Sequence, residues 1–151
     1  MSTHANVSIM NVDKTVTAIY VHSDGYISWT GVRLITGYNT ENKVRALLTL
    51  GNLSIVGYEL GKKHTREENN GSHNKWCYAY GRDDDRTDEG DPSFFESKAT
   101  FMNRAEEYVY LFDNDIWWVS YDAKRSPFVS YSNIKDFERL DLAILTERIL
   151  T

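Results

Sequence analysis

Two neighbouring runs limit the folds open to this chain more than any other feature. Glu107 to Phe112 and Ile116 to Tyr121 are rich in aromatic and apolar residues and are joined by Asp113-Asn114-Asp115. Strand formers on both sides of a polar turn predict a hairpin. Side chains alternate along a strand, so Val109 and Leu111 face one way and Tyr108, Tyr110 and Phe112 the other. Both faces are apolar, as in central strands that are covered on both sides.

Val7 to Val12 and Val16 to His22 predict two more strands, tightly joined through Asn11 to Lys14. In the second, Ile19 and Val21 are expected on the core face, with Val16, Ala18, Tyr20 and His22 opposite. Ser23-Asp24-Gly25 predicts a turn, with Gly25 supplying positive φ. Helices are expected over Gly31 to Tyr38 and Glu41 to Leu50. Thr40 or Asn39 would cap the second, Val44, Leu47 and Leu48 would form its buried stripe, and Gly51 would end it. Leu53 to Leu60 reads as irregular or extended, 61–75 as a solvated loop, and Trp76 to Tyr80 as a strand. Residues 82–96 form an acidic loop, with Phe94-Phe95 tucked onto the core. Phe128 to Tyr131 reads as an edge strand and Asp141 to Leu150 as a terminal helix with Leu142, Leu145 and Ile149 inward. The expectation is one α+β domain over 1–151, its mostly antiparallel five- or six-stranded sheet packed by two or three helices on one face.

Charge narrows the function. Arg82 to Glu96 holds seven acidic residues and two arginines, and that local −5 equals the net charge of the whole chain. An acidic chain without a basic stripe is a poor candidate for direct contact with nucleic acid. Cys77 is the only cysteine, which excludes an intramolecular disulfide and fits a reducing compartment. The first residues lack the basic and apolar regions of a secretion signal. No apolar run approaches the roughly 18 residues that span a bilayer, so no membrane association is expected.

Few motifs carry chemistry. The glycines at 25, 31 and 37 have bulky residues between them and do not make a phosphate-binding loop. The histidines at 4, 22, 64 and 73 lack zinc-ligand spacing, so no metal or cofactor is expected. His22-Ser23-Asp24 could pair an imidazole with a carboxylate for general-base work, a ligand or partner contact and a structural turn role being the alternatives. Asp83, Asp84 and Asp85 are read as a solvated loop, a phosphate-mimicking surface or a hard-cation site. Arg82, at a strand end, would form an ion pair or an anion hook. Cys77, between Trp76 and Tyr78, reads as a buried inert thiol.

Tyr20 to Tyr26 has the pattern Y-x-H-x-D-G-Y, and Tyr38 to Gly57 has Y-N-T-x-x-K-V-x-x-L-x-x-L-G-x-L-S-x-x-G. Together they resemble a family of small proteins encoded by tailed bacteriophages. Glu107 to Asp113 and Trp117-Trp118-Val119 are similar to that family's tryptophan-bearing hairpin. Tyr80-Gly81-Arg82-Asp83 resembles its Tyr/His-x-Arg-Asp-Arg-Gly-Glu segment, but acids follow Asp83 here and the next arginine is Arg86. The resemblance implies a phage accessory protein acting in the host cytoplasm.

Three functions are therefore expected. The first is binding and inhibition of a host protein, a defence component among the candidates, through the aromatic–polar junction and the acidic loop, since Tyr and Trp recur at binding hot spots. The second is a sponge for a small nucleotide, held by Tyr20, His22, Tyr26, Trp29 and Arg82. The third is an enzyme built on His22 and Asp24. Asp24 and Tyr38, within the junction, and Asp83, Asp84 and Asp85, in the acidic loop, complete the binding set, and exposed strand edges leave room for a homodimer.

Overall fold

A computed structural model describes residues 2–121 and 137–150. At the middle of the sheet lies β1 (Ala5–Met10), antiparallel to β2 (Val16–Val21) from Ala5–Val21 to Met10–Val16. Its other edge pairs in parallel with β6 (Tyr108–Asp113), from Ala5–Tyr108 to Ile9–Phe112. β7 (Ile116–Tyr121) follows antiparallel to β6, and β8 (Glu138–Arg139) pairs with β7. The outer edge of β2 is divided. β5 (Ser93–Phe95) takes Val16 to Ala18 antiparallel, and β3 (Leu53–Ile55) meets Val21 in parallel. β4 (Tyr78–Ala79) pairs with β3.

The α+β class and the antiparallel bias agree with the sequence reading. The strand count does not: among the described residues the sheet has eight strands, and two of its seven pairings are parallel. β3, β4, β5 and β8 have two or three residues each, too short to carry an alternating pattern. The expected strand at 128–131 lies outside the described residues. The hairpin after Glu107 forms as expected, with Asn114 (φ 53) and Asp115 (φ 64) both left-handed, the geometry of a tight two-residue turn.

Both faces of the sheet are covered, as the apolar hairpin requires. On one face α1 (Val32–Gly37), α2 (Glu41–Leu48) and α6 (Leu140–Leu150) lay Leu34, Val44, Leu47, Leu48 and Leu140 over Val7, Ile19 and Tyr110. On the other, α5 (Lys98–Met102) lays Phe101 and Met102 over Val16, Ala18, Val109 and Leu111. The helices are thus not confined to one face, and the side of β2 opposite Ile19 is a second small core. Thr40 caps α2, its hydroxyl accepting from Lys43 N at 3.3 Å, and Gly51 (φ 74) follows the helix.

Five local expectations are corrected. Asp24 (φ 55), not Gly25, takes the left-handed conformation in the turn after β2. Gly25 is needed for space instead, because a Cβ there would lie 2.7 Å from Ala5 Cβ. The 61–75 segment contains α3 (Arg66–Gly71), opened by a capping box between Thr65 and Glu68. α6 begins at Leu140 and turns Leu140 and Ala143 inward, leaving Leu142 and Leu145 55% and 56% exposed. Trp76 makes only an isolated bridge to Glu59, and α4 (Tyr80–Asp83) follows β4 directly. Phe95 packs on the second core, whereas Phe94 is exposed.

Two glycines test the packing in opposite directions. A Cβ on Gly51 would meet Glu89 O at 2.3 Å, at a φ that L residues avoid. Gly51→Ala should cost about 2–5 kcal/mol in urea unfolding. A Cβ on Gly71, in the last turn of α3, meets nothing within 4 Å. Gly71→Ala should raise stability by about 0.5–1 kcal/mol.

Candidate functional site

The chain leaving β2 is held firmly. His22 N and Ser23 N donate to Leu53 O and Ser54 O at 3.0 and 2.8 Å, which keeps the turn beside β3. From below, the buried Tyr110 hydroxyl donates to Gly25 O at 2.6 Å. Thr30 Oγ1 donates to Asp24 O at 2.7 Å. Side chains on this turn therefore stand on a rigid base.

A one-turn π-helix, Ile27–Gly31, follows and carries Trp29. Trp29 Nε1 donates to Val56 O at 2.9 Å. The Arg33 guanidinium lies 3.4 Å from the Trp29 ring centroid and 4.4 Å from that of Tyr58. Cation–π contacts of this kind contribute about 0.5–2 kcal/mol each. Arg33 Nη1 donates to Trp29 O at 3.1 Å, while Arg33 Nε is buried with no hydrogen-bond partner. Burial lowers the guanidinium's proton affinity, and Tyr58, Tyr26 and Asp24 oppose that shift. Burial, with the Asp24 carboxylate beside it, raises the Tyr26 phenol. Trp29, Tyr26 and Asp24 thus join Arg33 and Tyr58, neither of which the sequence singled out.

Tyr20 and His22 form a separate group with His4. His4 Nδ1 lies 2.8 Å from His22 O and 2.9 Å from Tyr20 Oη. A carbonyl only accepts, so His4 Nδ1 carries the proton. The Tyr20 hydroxyl is then free to donate to His22 Nδ1, 3.0 Å away. The His22 ring is therefore oriented by Tyr20, while Asp24 acts on Tyr26. Burial first, then the Glu106 carboxylate, raises the Tyr20 phenol. His4 follows from the β1–β2 register, which pairs Ala5 with Val21 and so sets residue 4 opposite residue 22. Strand pairing was the signal that could have found it.

Tyr38 is core. Its hydroxyl donates to Gly57 O at 2.8 Å and lies 3.3 Å from Cys77 Sγ, and burial pushes the phenol far up. Cys77 is fully buried, and burial raises its thiol as well.

The three consecutive aspartates have three different environments. Asp83 has a side chain 0% exposed. It accepts from Ala79 N (2.8 Å), His64 N (3.2 Å), Arg82 Nε (2.9 Å) and Arg82 Nη2 (3.1 Å). Asp84 accepts from Arg66 Nη2 at 2.7 Å and from the Tyr78 hydroxyl. Asp85, 77% exposed, pairs with Lys63. Each carboxylate already has a cation, so the acidic run is largely neutralised within the fold. Arg82 also donates to Leu60 O and Cys77 O, both at 2.8 Å, so four of its N–H···O bonds are internal. An anion would find one of its five N–H groups free.

Beyond the Ser23-Asp24 turn lies a polar cleft bounded by Ser54, Arg66, Asn70 and Asn74. It brings Asp24 together with α3, a helix absent from the sequence reading. Among the described residues no cluster of His, Cys, Asp or Glu is placed to hold a metal ion, and no helix is long and apolar enough to cross a membrane.

Asp83→Asn should cost about 3–5 kcal/mol in urea unfolding, because it leaves the Arg82 charge buried without its partner. Asp85→Asn should leave the midpoint unchanged. Burial works to raise the Asp84 carboxyl, but Tyr78 and Arg66 outweigh it and hold the group below its ordinary 3.8. A lowered folded value contributes stability above the ordinary value that is lost as pH falls through the folded one. Asp84→Asn should therefore be less stable at neutral pH and lose less on acidification below about pH 4. No family model, curated protein or solved structure matches this chain.

Proposed function

We propose that the protein is an accessory protein of a tailed bacteriophage that binds and inhibits a host protein, a defence component being the favoured target, in the host cytoplasm. One observation carries this reading. Trp29, Arg33 and Tyr58 form a stacked group at the surface, with Tyr58 41% exposed. Trp, Tyr and Arg are the residue types that dominate binding hot spots. Arg33 is held flat by two rings, so little side-chain entropy is lost when a partner covers it. The pairing of Asp83, Asp84 and Asp85 with Arg82, Arg66 and Lys63 moves the expected docking surface from the acidic loop to this stack.

Tagged protein should retain one stoichiometric partner from host lysate, and the purified pair should give a measurable Kd. Arg33→Ala and Tyr58→Ala should each weaken that Kd by about 30-fold, the size of a 2 kcal/mol hot spot. Asp85→Asn should leave it unchanged. Full affinity in both stack variants, with far-ultraviolet circular dichroism like that of the parent, would sink the reading.

A further inference from the structure

The cleft beside Asp24 offers about 240 Å3 and is lined mainly by polar residues. That is below the roughly 300–1,000 Å3 of sites for drug-sized ligands, and it suits one ring. Its charges oppose an anion. Asp24 is acidic, and Arg66 is already committed to Asp84 through Nη2 at 2.7 Å. A phosphate would meet a carboxylate and a guanidinium with a prior partner.

The hydrogen-bonding capacity of the cleft is largely unspent. Among the described residues, the side chains of Ser23 and Asn70 have no hydrogen-bond partner. Asn74 uses only its oxygen, accepting from Asn69 Nδ2 at 2.7 Å, which leaves its NH2 group free. Ser54 Oγ accepts from Arg66 Nη1 at 3.4 Å and retains its own proton. The floor of the cleft and Asn74 are held in place, whereas Asn70 is exposed and unconstrained. Asn69 is buried, with its oxygen 2.8 Å from His64 Nε2. His64 is fixed in turn by Lys62 O and packs edge-on against Trp76 and Tyr78. The Arg66 guanidinium lies 4.4 Å from the Tyr78 ring centroid and 5.9 Å from that of Tyr80, with its side chain 53% exposed.

We infer that this cleft binds a neutral ring bearing vicinal hydroxyls, such as a monosaccharide or the ribose of a nucleoside. The Asp24 carboxylate accepts from two adjacent hydroxyls, and the Asn70 and Asn74 amides donate to ring and hydroxyl oxygens. The Arg66 plane lies against one face of the ring. Asp24 also acts on Tyr26 and Arg33, so the cleft adjoins the Trp29–Arg33–Tyr58 stack, and Asn70 and Asn74 are the lining residues that belong to the cleft alone.

The test is titration of the 15N-labelled full chain with D-glucose, D-galactose, adenosine, 2′-deoxyadenosine and adenosine 5′-monophosphate. Saturable shifts at Ser23, Asn70 and Asn74 are expected with a hexose or with adenosine, and which of the two responds identifies the source of the diol. If adenosine binds, removal of the 2′-hydroxyl should weaken it at least tenfold, and the monophosphate should bind more weakly than the nucleoside. Asp24→Asn, a residue type that accepts the left-handed backbone, and Asn70→Ala should each weaken the responding ligand about tenfold. The inference is overturned if no probe moves the cleft, if the monophosphate binds more tightly than adenosine, or if both variants keep full affinity.

Discussion

The buried Asp83 carboxylate holds together the side of the molecule that carries the candidate surfaces. It takes hydrogen bonds from Ala79 at the end of β4, from His64 ahead of α3, and from Arg82 within α4. Arg82 extends the grip to Leu60 and Cys77. Removing two charges from water costs several kcal/mol per ion, and attraction with full hydrogen bonding offsets it only when the geometry is good. The pair is therefore better understood as fixing one arrangement than as a large net stabiliser. α3 is too short and too polar to hold its own position. Its place against the Ser23-Asp24 turn depends on that clamp.

The abundance of aromatic residues has a related explanation. Tyr110, Tyr38 and Trp117 each send a hydroxyl or indole N–H to one carbonyl, on Gly25, Gly57 and Tyr38 respectively. Those carbonyls belong to connecting segments, where no ladder supplies a donor. Buried carbonyls need partners, and a ring that fills core volume while its polar tip reaches a loop meets both demands. The aromatic side chains thus turn loops into fixed parts of the domain, and the turn after β2 becomes a rigid platform.

What the sequence disclosed follows from the range of the interactions involved. The Glu107–Tyr121 hairpin, the β1–β2 pair, the Thr40 cap and the Gly51 stop all depend on neighbours within a few residues, and all were legible. The two-residue strands were not, because two residues have no period. α3 had a readable start in Thr65-x-x-Glu68, but its polar sequence lacks the apolar stripe that marks a helix. Asp83, Asp84 and Asp85 are chemically identical in sequence. Their fates diverge because His64, Arg66 and Lys63 arrive from another part of the chain. The Trp29–Arg33–Tyr58 stack was partly visible: Trp29 stood out by type, whereas Arg33 and Tyr58 became its partners only through tertiary packing.

The parallel pairing of β1 with β6 has a consequence for how the molecule is made. Ala5 lies beside Tyr108, so the central strand waits for about two thirds of the chain to emerge before its second edge is filled. Contacts this distant in sequence slow folding, since the entropy of closing the loop is lost before the contact contributes. During synthesis the β1–β2 hairpin therefore exists with an open apolar edge, the condition in which strands pair with the wrong chain. The β6–β7 hairpin, closed by its own two-residue turn, can form as a unit and dock in one step, which shortens that exposed interval.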